Sequence, residues 1–142
     1  MNLELRLKKG AFNHVESELF HYHETKREIE RMKQDILLGT SSFDENVGGG
    51  KSNLPGDPTA SKAIAMISNR QLEQMHRIVK AIEFIVEGLP DEKKKLVELK
   101  YWTRPQTLTW DGIAMRLNCS RRSALIWREE IVTAIGNHIG WK

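Results

Sequence analysis

The sequence of 142 residues has little of what several fold and function classes require: one cysteine, four prolines and 7% aromatic residues. A single cysteine, Cys119, excludes an internal disulfide and a multi-thiolate zinc site within one chain. It falls in a turn at an expected core position, so burial is its expected role. No run of about 18 apolar residues occurs, so no membrane-spanning helix is expected. The opening MNLELRLKKG lacks the apolar stretch and cleavage site of a signal peptide, and a cytoplasmic protein is expected. Few aromatics beside 29% charged residues suit a helical protein with modest cores better than a sandwich or barrel.

Constellations for catalysis or metal binding are also missing. His21 and His23 are two residues apart, on different sides of a helix, and His14 and His21 are seven apart. Neither spacing gives the helical pair, three or four residues apart, that a metal ion prefers. No histidine accompanies Cys119 in a nucleophile motif, and the scattered carboxylates fit helix faces. The fragment GGGKS places Lys51 and Ser52 after Gly50, as in a phosphate loop. Glu45 nevertheless occupies the position of the first glycine, and no strand precedes it. No enzyme, no cofactor and no metal site is expected.

What is present is charge segregation and helical periodicity. Net charge is +3 overall; residues 91–142 hold ten Lys or Arg against six Asp or Glu, whereas residues 1–90 hold twelve against thirteen. The positive excess therefore lies in the C-terminal part, where phosphate neutralisation would supply salt-dependent affinity.

That part contains the stretch on which the reading is built, Thr109 to Gly136, TWDGIAMRLNCSRRSALIWREEIVTAIG. A helix from about Trp110 to Arg116 turns Ile113, Ala114 and Leu117 inward. Leu117, Asn118 and Cys119 form a turn, in which Asn118 suits the left-handed conformation, and Ser120 is the cap of a second helix from Arg121. Ala124, Trp127, Ile131 and Ile135 face inward, and Ala114 and Ala124 are small where the helices cross. Arg121 and Arg122 remain outside. A helix presented N-terminus first to a duplex brings such side chains to phosphates and major-groove edges. A small helical hairpin bearing a surface arginine pair is the plainer alternative.

Upstream, residues 1–12 are expected to be frayed. Asn13 is read as capping a helix that runs to Leu38 and stops at Gly39. In it Val15, Tyr22, Ile29 and Ile36 recur every seven residues, a coiled-coil-like seam that needs a partner helix. A mobile linker is expected over about 39–57. Asp57 and Pro58 start a long helix to Glu87, stopped by Gly88. Its stripe, Ile64, Ile67, Gln71, Met75, Ile78, Ile82, Ile85 and Leu89, is wide enough to require more than one neighbour, which predicts a homodimer. A further helix runs from about Asp91 to Trp102, with its acidic groups where the helix dipole favours them. Residues from Gly136 onward are read as a tail.

From Leu89 to about Ile135, LPDEKKKLVELKYW followed by TWDGIAMRLNCSRRSALIWREEI, the chain resembles region 4 of bacterial sigma factors. The layout of N-terminal helix, Gly-rich linker, long helix and terminal sigma-like helix-turn-helix resembles the phage RinA-type and ArpU-type transcriptional regulators. The resemblance implies an all-α fold, with an arm or oligomerisation part at 1–88 and a DNA-binding domain at 89–142. It implies an activator of phage or prophage late genes, working on double-stranded DNA in the bacterial host cytoplasm. Carried over, Ser120 caps or meets phosphate, and Arg121 and Arg122 approach base edges or phosphates, with Ser123 and Arg128 adjacent. Leu125 and Ile126 depart from the polar residues common there and are expected to meet thymine methyls or a neighbouring helix. The alternative is a sigma-like module that binds RNA polymerase or another protein with little DNA affinity of its own.

Overall fold

The computed structural model describes residues 6–50 and 58–142, and among them every regular element is a helix. In chain order these are α1 (Lys9–Phe20), α2 (Tyr22–Gly50), α3 (Pro58–Glu87), α4 (Asp91–Tyr101), α5 (Trp110–Arg116) and α6 (Arg121–Ile139). No helix among the described residues is long and apolar enough to cross a membrane. The chain divides into two compact units, Met1–His23 with Ile78–Lys142, and Glu24–Arg77.

The larger unit is built around α6, which packs on α1 and α5, with α4 against both α5 and α6. Its core is a layer of aliphatic side chains without solvent access: Val15 and Leu19 from α1, Ile82 from α3, Leu96 and Val97 from α4, Ile113 from α5, and Ile131, Val132 and Ile135 from α6. Ala114 and Ala124 are buried at the α5–α6 crossing, where their small side chains permit close approach. No polar or charged residue among those described is buried.

Several helix ends differ from the expectation, each for a tertiary reason. The segment expected to fray is ordered from Arg6: Leu7 is buried, and α1 begins at Lys9 rather than after Asn13. Its first residue is preceded by Lys8, which makes no side-chain cap bond, so packing fixes the start instead of cap chemistry. The long first helix is broken at His21. There the Trp102 indole donates to the Leu19 carbonyl at 2.9 Å, and Arg104 donates to the Phe20 carbonyl at 2.6 Å. Donors more than 80 residues away in sequence satisfy the carbonyls that the break frees.

Gly39 does not end α2, which continues to Gly50. An interior glycine costs only about 1 kcal/mol relative to alanine, and no proline follows before residue 50 to enforce a stop. The expected linker is thus helical through Gly50; the remainder of it, with Lys51, Ser52 and Asp57, lies outside the described residues. Pro58 does open α3, and Gly88 follows its last residue.

Gly136 is not the stop of the last helix either. α6 runs on to Ile139 and ends at Gly140, whose φ of 96° is the left-handed conformation of a helix stop. Ile139 is buried, and Trp141 stacks on His14 at 4.2 Å, so the tail closes over the core. Gly136 serves close approach: a Cβ built there would lie 2.5 Å from a Leu7 methyl.

In the smaller unit, α2 carries its own surface charges in short-range pairs, Arg27 with Glu24 at 3.6 Å, and Arg31 with both Glu28 and Asp35. Such pairs stabilise a helix by a few tenths of a kcal/mol each. The heptad seam is buried at Ile29, but Ile36 is 44% exposed. In the α3 stripe Ile78 and Ile82 are buried, Met75, Ile85 and Leu89 are half-buried, and Ile67 is 66% exposed.

Gly136→Ala should force Leu7 out of its seat. The helix-propensity gain of about 1 kcal/mol is then offset by the lost burial of Leu7, about 1.5–3 kcal/mol. In a Leu7→Ala background the clash is gone and Gly136→Ala should become stabilising. Urea unfolding of the four members of that cycle measures the coupling; additive effects would contradict the packing described.

Candidate nucleic-acid interface

The exposed arginine pair is positioned by two caps and one left-handed residue. α5 opens with Thr109, whose Oγ1 accepts from the Gly112 amide at 3.1 Å. At its other end Asn118 has φ 56°. The Cys119 amide returns to the Ala114 carbonyl at 3.0 Å and the Asn118 amide to Met115 at 3.2 Å, the pair of bonds that closes a Schellman stop. Asparagine tolerates that conformation because its short amide adds little steric cost. Ser120 then caps α6, its Oγ accepting from the Ser123 amide at 3.0 Å and lying 3.0 Å from the Ser123 hydroxyl.

Arg121 and Arg122 occupy the first turn of α6 and are exposed. Arg121 has Asp111 of α5 at 3.7 Å, a solvent-exposed pairing worth at most about 1 kcal/mol. Ser123 is half-buried and shares the cap. Leu125 is half-buried, whereas Ile126 is 43% exposed on the outward side. Cys119 is half-buried in the turn, less enclosed than a core position implies.

Arg128 is set apart from these residues and turned inward. Its Nε and Nη2 donate to the two Glu16 carboxylate oxygens at 2.8 and 2.9 Å, a bidentate fork joining α6 to α1. Tyr101 of α4 donates its hydroxyl to the same carboxylate. The guanidinium also lies 5.0 Å from the centre of the Phe12 ring and 5.7 Å from that of Trp110. Burial of the Glu16 carboxyl works against its charge, but Arg128, then Tyr101, more than compensate and hold it below the usual carboxylate range. Burial, with the adjacent carboxylate, pushes the Tyr101 phenol far up, so it remains a donor. The hydrogen bonds to Glu16 raise the Arg128 guanidinium in turn.

Sequence reasoning missed Glu16 and Tyr101 as members of this arrangement. Glu16 is 112 positions from its arginine, and nothing in its own helix distinguishes it from other surface carboxylates.

A protein-family model described as "Protein of unknown function (DUF722)" matches residues 16–137. The chain belongs to this family. No curated protein and no solved structure matches it. The matched span begins at Glu16 itself and takes in α2, α3, α4, α5 and nearly all of α6.

The Glu16 fork should be visible in the pH dependence of stability. A carboxyl whose folded pKa is depressed contributes stability that is complete above its unfolded value, near 4.5, and is lost as pH falls through the lowered folded value. Glu16→Gln should cost about 1–3 kcal/mol at neutral pH, since Arg128 stays charged with its partner gone. The gap between wild type and variant should narrow on acidification below about pH 4.5. Thermal melts from pH 3 to 7 read this directly, and a gap independent of pH would exclude the ion pair as its source.

Proposed function

We propose that the chain is a sequence-specific DNA-binding transcriptional regulator that uses α5 and α6 as a sigma-region-4-like helix-turn-helix. One observation carries the reading: an apolar, alanine-lined crossing fixed by the left-handed Asn118 and the Ser120 cap, with Arg121 and Arg122 outside at the first turn of α6. The free amides at that helix start and the two guanidinium groups suit a phosphate or a guanine edge. In this reading Ser120 and Ser123 shape the helix start and reach phosphate, and Arg121 and Arg122 read bases. Ile126, with Leu125 beside it, meets thymine methyls. Arg128 acts from inside by holding α6 on α1. The resemblance to RinA-type and ArpU-type regulators makes the target a phage or prophage late promoter and the setting the bacterial host cytoplasm.

A second reading is favoured by the outward apolar groups of the same helix pair. Met115 is 77% exposed, and with Ile126 it offers contact area to a protein such as RNA polymerase, in which case the free protein has little DNA affinity.

The same proposal includes a homodimer. Ile36 and Leu37 of α2 and Met66 and Ile67 of α3 are exposed apolar side chains of the smaller unit, and a second copy would cover them. Light scattering should give twice the chain mass at micromolar concentration, with Leu37→Glu plus Ile67→Glu shifting it toward monomer. A monomer at every concentration removes the dimer.

Selection from random duplex DNA with the full chain at two salt concentrations tests the leading reading. A motif should be enriched, and Arg122→Ala should relax one position of it at a cost of about 1–3 kcal/mol. Unchanged preference in that variant rejects the assignment of Arg122, and no enrichment at either salt favours the protein-binding reading.

A further inference from the structure

The start of α1 and the residues just before it carry three cations in four positions, Arg6, Lys8 and Lys9, all exposed. This stretch is held on α6 at two points. Leu7 is buried in the notch that Gly136 leaves open, and Arg6 lies 3.4 Å from Glu129. Arg6 and Lys9 line one groove with Glu129 and Thr133 of α6, about 340 Å³ in volume.

That groove continues the outward face of α6. Arg122, Ile126, Glu129 and Thr133 follow one another at steps of four, three and four, so they share one side of the helix. Glu129 is seven residues beyond Arg122, which places it about 10 Å farther along the axis. The major groove is about 8.5 Å deep. A helix that enters it steeply, N-terminus first, with Arg122 at the floor brings Glu129 toward the sugar-phosphate ridge. A carboxylate at that height repels phosphate, and here it is neutralised by Arg6, with Lys9 beside it. On the neighbouring side Glu130 is matched in the same way by Lys93 at 2.9 Å.

We infer that Arg6, Lys8 and Lys9 form a second phosphate-contacting patch, held against the side of α6 by Leu7 in the Gly136 notch. The inference rests on the DNA-binding reading and extends its interface to a segment outside the helix pair. The patch supplies affinity without sequence preference, because phosphates carry no base identity. Glu129 orients Arg6 and keeps the groove from binding anions indiscriminately.

The test compares wild type with the triple variant Arg6→Ala, Lys8→Ala, Lys9→Ala. Binding is measured on a duplex carrying the selected motif and on an unrelated duplex, across a salt series from 50 to 200 mM. Each phosphate contact removed should flatten the slope of log affinity against log salt by about one. The expected change is a slope shallower by about two to three on both duplexes, with their affinity ratio unchanged. All three side chains are exposed and Leu7 is retained, so the melting temperature should stay within a few degrees of wild type. Glu129→Gln keeps all three cations and removes the groove's carboxylate, and it should tighten binding on both duplexes. An unchanged slope in the triple variant, or weaker binding by Glu129→Gln, overturns the patch and leaves the DNA-binding reading standing. Wild-type protein that binds neither duplex at 50 mM salt overturns both.

Discussion

The fork between Arg128 and Glu16 is the constraint to which the larger unit is tied. It joins the middle of α6 to α1, and Tyr101 brings α4 to the same carboxylate, so three helices meet at one charged centre beside an aliphatic core. Apolar contacts are non-directional and so are tolerant of small rotations about a helix axis. A bidentate pair is not tolerant: two parallel N–H···O bonds fix both the height and the rotation of the arginine that makes them. The rotation of α6 decides which side chains it turns outward. Orientation of Arg122 and Ile126 is thus referred back, through one guanidinium, to a helix more than 100 residues earlier in the chain.

Three outward carboxylates of the larger unit are matched by cations on neighbouring elements: Glu129 by Arg6, Glu130 by Lys93, and Asp111 by Arg121. Pairs so exposed contribute little to stability. Their effect is on the field, since they leave the uncompensated Arg122 to dominate the start of α6. The smaller unit achieves a similar balance within one helix, where Arg31 is shared between Glu28 and Asp35.

Local chemistry was legible in the sequence wherever it was decided locally. Asn118 and Ser120 act through bonds to residues within a few positions, and their turn and cap are found where their side chains predict. Of the inward set, Ile113, Ala114, Leu117, Ala124, Ile131 and Ile135 are buried, as helical periodicity requires, and Trp127 is half-buried. Features decided by distant partners were not legible. The break at His21 depends on Trp102 and Arg104, the order of residues 6–8 depends on Gly136, and the inward turn of Arg128 depends on Glu16. The glycines mark the division most clearly. Gly39 and Gly136 look alike as stop signals, yet both lie inside helices, whereas Gly140 alone among the described glycines takes a positive φ.

The larger unit is assembled from two stretches of chain separated by the whole of the smaller one. During synthesis α1 is made well before α6, the helix it packs on, so that packing around the buried Val15 and Leu19 stays incomplete until α6 has emerged. The decisive step in folding this unit therefore waits on α6, governed by closure of a long loop instead of by successive docking of neighbours. In the interval the nascent chain exposes an apolar helix face of the kind that chaperones bind. A ribosome that stalls between α3 and α6 would hold that face open, which makes the rate of elongation over the last helices a determinant of yield.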